Sequence, residues 1–275
     1  MVDPDAPVLA ADDLGLTRGD GCFEATRVLT GTDLRHRVDH LEQHLDRLDR
    51  SAAGLDLPAI DRGAWCLLIE QALAAWTRPG EAMLKLMLSR GRESVPAGPV
   101  TGILSLTPTA AQTLRQRRDG LAVIALNRGY AAQAFTEARW LLGGVKTLSY
   151  AVNVAATREA GRRGADDVLF TSADGYLLEA PTATLVWATG DRLLSTPLDG
   201  TGVLASITQQ ALFEAAEKSG LNTGYQLARP GQVASADGAW LVSSGRGVAT
   251  IRSLDGQPLP VDEQLSSQLS ALAGF

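Results

Sequence analysis

The sequence predicts an α+β (α/β two-domain) protein, with a small N-terminal α/β domain over residues 1–119 and a larger β-rich domain over 120–275. Three observations carry this reading. A chain of 275 residues is long enough to bury two cores. Apolar side chains in the first half recur at helical steps in two segments and form strand-like runs beside them. From Leu121 onward the pattern becomes β-rich, with short strand-like runs interrupted by two helices.

Taken in order, Cys22 to Thr30 is a strand closed by Gly31. Arg37 to Leu55 places Val38, Leu41, Leu45, Leu48, Ala52 and Leu55 at steps of three and four, which predicts an amphipathic helix. Asp61 to Thr77 is a second helix, ended by Pro79-Gly80. Ala82 to Ser89 and Val100 to Thr107 are strands about a Gly/Pro-rich turn. In the second half the expected strands are Leu121 to Asn127, Asp167 to Thr171, Leu177 to Leu178, Ala183 to Ala188, Arg192 to Ser195 and Ala239 to Ser243. Helices Tyr150 to Gly164 and Ile207 to Gly220 interrupt them. The polar, Gly/Ala-rich stretch at about 128–144 is expected to be a flexible interdomain loop beside a cofactor crevice.

Composition narrows the function. Hydrophobic residues make up 45% and charged residues 20% of the chain, the balance of a folded globular protein. A net charge of −6 argues against nucleic-acid or anionic-membrane binding. The acidic, proline-broken start Met1-Val2-Asp3-Pro4-Asp5-Ala6-Pro7 does not read as a signal peptide, and no apolar run is long enough to span a bilayer, so a cytoplasmic protein is expected. Cys22 and Cys66, far apart and without metal-ligand spacing, are expected to be free thiols and not nucleophiles. His36, His40 and His44 recur every four residues, a spacing that could present a metal site on one helix face. No acidic residue completes a ligand set, so a polar helix face is the expectation and no metal is assigned.

Lys146 stands out among the chain's lysines, Lys85, Lys146 and Lys218. It lies in Gly143-Gly144-Val145-Lys146-Thr147-Leu148-Ser149-Tyr150, with no other charge within five residues on either side. A lysine in apolar surroundings can serve as a nucleophile or base. Glu179 follows in Gly175-Tyr176-Leu177-Leu178-Glu179-Ala180. Ser206-Ile207-Thr208-Gln209 fits a helix start with a capping box, whose free N–H groups and dipole suit a phosphate.

These segments resemble the fold-type IV pyridoxal phosphate enzymes, which include branched-chain and D-amino acid aminotransferases and 4-amino-4-deoxychorismate lyase. The resemblance rests on Arg18-Gly19-Asp20-Gly21-Cys22-Phe23-Glu24, His44-Leu45-Asp46-Arg47-Leu48 with Ser51-Ala52, Gly144 to Tyr150 with Asn153, and Asp174-Gly175-Tyr176 leading into Glu179. It implies a D-amino acid aminotransferase-like fold, pyridoxal 5'-phosphate as cofactor and a homodimer. By the same resemblance Lys146 would hold the cofactor as an imine and shuttle a proton, and Glu179 would pair with the pyridine nitrogen. Arg47, Ser206, Ile207 and Thr208 would cradle the phosphate. The chain departs from the family pattern at Pro181, Thr184 and Val186, where a small residue, an asparagine and an aromatic are usual, and at Gln209, where a basic residue is usual.

Within that group three features favour the lyase, which releases pyruvate and 4-aminobenzoate for folate synthesis. They are the Gly19 to Phe23 segment with Arg27-Val28, the lack of an Arg-x-His pair in Arg90-Gly91-Arg92-Glu93-Ser94-Val95-Pro96, and the turn Ser243-Ser244-Gly245-Arg246-Gly247. Ser244, Gly245 and Arg246 of that turn are the expected substrate-carboxylate contacts. A class IV aminotransferase acting on branched-chain amino acids, D-amino acids or (R)-amines is the alternative, and a catalytically silent binding protein is a third reading.

Overall fold

The computed structural model describes residues 7–275; the reading of the acidic start falls largely on residues 1–6, outside the described ones. The chain forms two compact units. One comprises residues 1–109 and 145–150, the other 110–144 and 151–275.

The first unit contains α1 (Leu14–Thr17), β1 (Gly21–Thr30), β2 (His36–Val38), α2 (Leu41–Gly54), α3 (Arg62–Ala74), β3 (Gly80–Ser89) and β4 (Thr101–Pro108). Its sheet runs β2-β1-β3-β4, antiparallel throughout. Alternation along β1 and β3 sends Cys22, Val28, Leu84, Leu86 and Leu88 into one core with Leu45, Leu48 and Ala52 of α2 and Trp65 and Ile69 of α3. The expected helix from Arg37 is divided. His36–Val38 pairs with the end of β1, and His40 takes a left-handed φ of 51° at the head of α2. The pairing of Val38 with Val28 outweighs the helical spacing of Val38.

Residues 145–150 join this unit because they add to the edge of β1. The Phe23 N–H donates to the Lys146 carbonyl (3.0 Å), the Leu148 N–H donates to the Gly21 carbonyl (2.8 Å), and Cys22 bridges Thr147. Gly21 permits this approach. A Cβ there would lie 2.3 Å from the Leu88 carbonyl oxygen and 2.7 Å from Leu148 Cδ1.

The second unit contains α4 (Ala111–Asp119), β5 (Leu121–Asn127), a 3-10 turn (Arg139–Leu141), α5 (Ala151–Arg162), β6 (Asp167–Thr171), β7 (Glu179–Ala180), β8 (Ala183–Thr189) and β9 (Arg192–Ser195). These are followed by α6 (Ile207–Lys218), β10 (Asn222–Tyr225), α7 (Pro230–Ala234), β11 (Gly238–Ser243), β12 (Gly247–Leu254), β13 (Gln257–Pro258) and α8 (Glu263–Leu272). A mixed sheet runs β10-β9-β8-β11-β12-β5-β6, with β7 paired to β8 and β13 to β12. Leu185, Trp187, Ala239 and Leu241 enter one core. Their neighbours Val186, Ala188, Trp240 and Val242 enter another with Leu212 and Phe213 of α6 and Leu269 of α8. Both faces of β8 and β11 are thus covered, which explains their unbroken apolar runs.

Helix α4 lies in this second unit, whereas the sequence boundary at 119/120 assigns it to the first. It packs on β12, and the guanidinium of Arg117 donates to the carbonyls of Gly245 and Arg246, both at 2.9 Å. The stretch 128–144, expected to be flexible, is instead bonded within the second unit. The Ala173 N–H donates to the Tyr130 carbonyl, Ala132 to Asp174, Phe135 to the Gly200 carbonyl and Gly144 to the Gly202 carbonyl. Among the described residues no helix is long and apolar enough to cross a membrane.

Gly21→Ala is expected to lower stability by about 1–3 kcal/mol through overpacking. Gly161→Ala in α5, where a Cβ meets nothing within 4 Å, is expected to be neutral or slightly stabilising. Urea unfolding of both variants checks the pair.

Candidate active site

In the first unit the edge pairing with β1 fixes the backbone of Lys146, and its N–H donates to Ser51 Oγ on α2 (3.3 Å). The Lys146 ammonium lies 4.5 Å from the centroid of the Phe23 ring, which packs edge-on against Tyr150 at 5.2 Å. This gives the amine an apolar floor and a cation–π contact. Lys85 Nζ lies 5.8 Å from the same ring, through the register that pairs Lys85 with Ala25. Sequence reading assigned Lys85 no role. Its signal is a charged residue inside an otherwise apolar strand, Ala82 to Leu88.

The opposite face of β1 carries Glu24, which is 1% exposed. Arg47 donates to it through Nε (2.7 Å to Oε1) and Nη2 (2.8 Å to Oε2), and His44 Nδ1 lies 2.7 Å from Oε2. His44 and Arg47 are three apart on α2, so both reach one carboxylate. The polar helix face expected for the histidines therefore does not hold at His44, which is buried on Glu24; His36 Nδ1 contacts Thr30 Oγ1 at 3.1 Å. Among the described residues no group of three or more His, Cys, Asp or Glu could hold a metal ion.

Burial pushes the Glu24 carboxyl upward, but hydrogen bonds from Arg47 and His44 and the Arg47 charge outweigh it and bring it down to about 2. Burial lowers His44 against the opposing pull of Glu24, so the neutral ring donates its Nδ1–H. Burial raises the Cys22 thiol to about 12, with Glu24 adding to it, so Cys22 is an inert core side chain.

In the second unit Glu179 stands on β7. Its Oε2 accepts the Leu204 N–H (3.2 Å), and its Oε1 lies 3.6 Å from Arg128 Nη1. Arg128 stacks over Phe170, 5.0 Å from the ring centroid. Asn153 donates to the Pro181 carbonyl (2.9 Å), fixing the chain just beyond Glu179. Leu204 lies two residues before Ser206, so one loop serves both the carboxylate and the start of α6.

Ser206 caps α6, its Oγ accepting the Gln209 N–H (3.2 Å). The Gln209 side chain turns to Tyr225 instead of completing the expected capping box, its Nε2 lying 3.2 Å and its Oε1 3.5 Å from the Tyr225 hydroxyl. The N–H groups of Ile207 and Thr208 belong to the first turn, where the helix itself supplies no acceptor. Thr208 Oγ1 lies 2.9 Å from Ser244 Oγ, so the expected phosphate threonine and the expected substrate turn meet.

Arg246 is anchored by an acidic partner within the same unit. Its Nη2 donates to Asp167 Oδ2 at 2.7 Å in a buried ion pair, and its Nη1 is buried without a hydrogen-bond partner. The pair fixes one edge of the guanidinium, and Ser244, Gly245 and Arg246 remain the candidate contacts of that turn. Arg90 is held by Asp20 and the Leu55 carbonyl, and Arg92 by Asp12.

An amine, an acidic partner, a helix start with a hydroxyl and an oriented guanidinium match the groups of pyridoxal phosphate in kind: aldehyde, pyridine nitrogen and phosphate. The chain belongs to the amino-transferase class IV family, whose model matches residues 21–254. It is 41% identical over 268 residues to a bifunctional aminodeoxychorismate lyase / D-amino acid transaminase of Mycobacterium tuberculosis, covering 94% of this chain and 90% of the relative. Its fold matches a hypothetical aminotransferase from the same organism in the PLP-bound form, with TM-score 0.92, 39% identity and coverage of 99% and 95% of the two chains. It also matches a fold IV-transaminase from Curtobacterium pusillum, with TM-score 0.90, 39% identity and coverage of 100% and 93%. The fold is thus D-amino acid aminotransferase-like, and pyridoxal phosphate is the cofactor of the family.

The buried triad sets a pH dependence. The unfolded chain protonates His44 near 6.5 and Glu24 near 4.5, whereas the folded chain holds both lower. Their contribution is therefore full above about 6.5 and falls as acid is added, first through His44 and then, between 4.5 and about 2, through Glu24. His44→Gln is expected to flatten the loss of urea midpoint between about pH 7 and pH 5. Identical slopes for variant and parent would contradict this.

Proposed function

We propose that the protein is a 4-amino-4-deoxychorismate lyase that releases pyruvate and 4-aminobenzoate, an activity placed in folate synthesis. The observation that carries the reading is the 41% identity, along 94% of the chain, to a relative with lyase activity in its description. Pyridoxal phosphate, when bound, supplies an electron sink at the amine-bearing carbon of the substrate.

In this reading Lys146 would hold the cofactor and would take the proton from that carbon at its Nζ, where Phe23 provides an apolar floor. Glu179 keeps the pyridine nitrogen protonated, and the Leu204 N–H holds its carboxylate in place. Arg47, the N–H groups of Ile207 and Thr208 and the Thr208 hydroxyl bind the phosphate, with Ser206 fixing the helix start. Ser244, Gly245 and Arg246 receive a substrate carboxylate, an arginine there suiting a substrate with two carboxylates. Loss of the enolpyruvyl group leaves an aromatic ring, which drives the reaction forward. The protein works as a homodimer.

Transamination of D-amino acids is the second reading. The Mycobacterium tuberculosis relative carries both activities in its description, and the Curtobacterium pusillum protein is described as a transaminase.

Incubation of the cofactor-loaded protein with 4-amino-4-deoxychorismate is expected to yield pyruvate and 4-aminobenzoate in equal amounts. Absence of both, together with keto-acid formation from D-alanine and 2-oxoglutarate, would replace the lyase by the transaminase. Glu179→Gln is expected to retain bound cofactor and to turn over about 10²–10³-fold more slowly, as when an electrostatic partner is removed. Near-normal turnover would remove Glu179 from the mechanism.

A further inference from the structure

Glu24 is a carboxylate on the core face of β1, beside Cys22 and Val28 and against the apolar side of α2. That setting is costly for a charge, and buried ion pairs are weak stabilisers compared with packed apolar side chains. The function of the pair is better sought in its geometry. Two parallel bonds, from Nε and Nη2 of Arg47 to the two oxygens of Glu24, fix the plane of the guanidinium. His44 contributes a third short contact, which stops the carboxylate from rotating. All three side chains are at least nine-tenths buried.

We propose that Glu24 is a positioning residue for the cofactor phosphate, acting through Arg47, and that His44 holds Glu24 in register. The proposal rests on the reading that Arg47 binds the phosphate. Charge and geometry make opposite demands here. Glu24 cancels the charge of Arg47, so if Arg47 acted only as a positive charge, removal of the carboxylate would tighten phosphate binding. If Arg47 acts as an oriented fork of donors, the same removal weakens it.

The readout is the ratio of the dissociation constants of pyridoxal and pyridoxal phosphate, measured by equilibrium binding to the apoprotein. General damage to the fold weakens both ligands and leaves the ratio alone. Glu24→Gln is expected to lower the preference for the phosphate form about tenfold. Glu24→Asp, the milder variant should Glu24→Gln fail to fold, is expected to lower it less, and His44→Gln to lower it about threefold. Leu48→Ala, which opens the same core from the same helix, is expected to reduce stability without moving the ratio.

In an Arg47→Met background Glu24→Gln is expected to have no further effect on the ratio; an equal effect there would show that Glu24 does not act through Arg47 and would overturn the proposal. A ratio that rises or stays level in Glu24→Gln, while Arg47→Met lowers it, would also overturn the proposal and leave the phosphate role of Arg47 standing. An unchanged ratio in Arg47→Met would remove that role and the proposal with it.

Discussion

Two backbone hydrogen bonds between residues 146–148 and the start of β1 are the constraint on which the candidate chemistry depends. They draw six residues, Val145 to Tyr150, out of a stretch that otherwise belongs to the second unit and dock them on the first. Thr147 pairs with Cys22 through the backbone, and the Lys146 ammonium lies over the Phe23 ring. Gly21 is the sequence's concession to this contact. Its missing side chain lets three backbone segments approach closely, so part of the Gly-Asp-Gly motif is explained by packing before any chemistry is invoked.

The second unit solves a comparable problem with one loop. Residues 200–208 give the Leu204 N–H to Glu179, the Ser206 cap to α6 and the Thr208 hydroxyl to Ser244. Carboxylate, helix start and turn are thereby held together within a few residues. Helix α4 adds a brace from the far side, since Arg117 takes the carbonyls of Gly245 and Arg246, and the Arg246–Asp167 pair anchors the turn internally. The arginine of this glycine turn is thus anchored within the unit, and the Ser244 hydroxyl meets Thr208.

Much of this was legible in the sequence, for physical reasons that differ between elements. The buried strands β8 and β11 announce themselves as apolar runs, and Ser206 marks the start of α6 through its capping chemistry. Less legible was whatever depended on partners distant in sequence. Val38 obeys a helical period yet lies in a strand because Val28 pairs with it. Helix α4 is polar nearly all round, so periodicity missed it, and its role shows only in the reach of Arg117. His44 shares a spacing with His36 and His40, but only the fold reveals that Glu24 lies opposite it. The partner of Arg246 was equally hidden, because Asp167 is 79 residues away.

Lys146 is the amine proposed to hold the cofactor, and Lys85, over the same aromatic ring, is its rival. Borohydride reduction of the protein loaded with pyridoxal phosphate, followed by proteolysis and mass spectrometry, reads the attachment point directly. A pyridoxyl-phosphate adduct on Lys146 is expected. An adduct confined to Lys85 or Lys218 would contradict it.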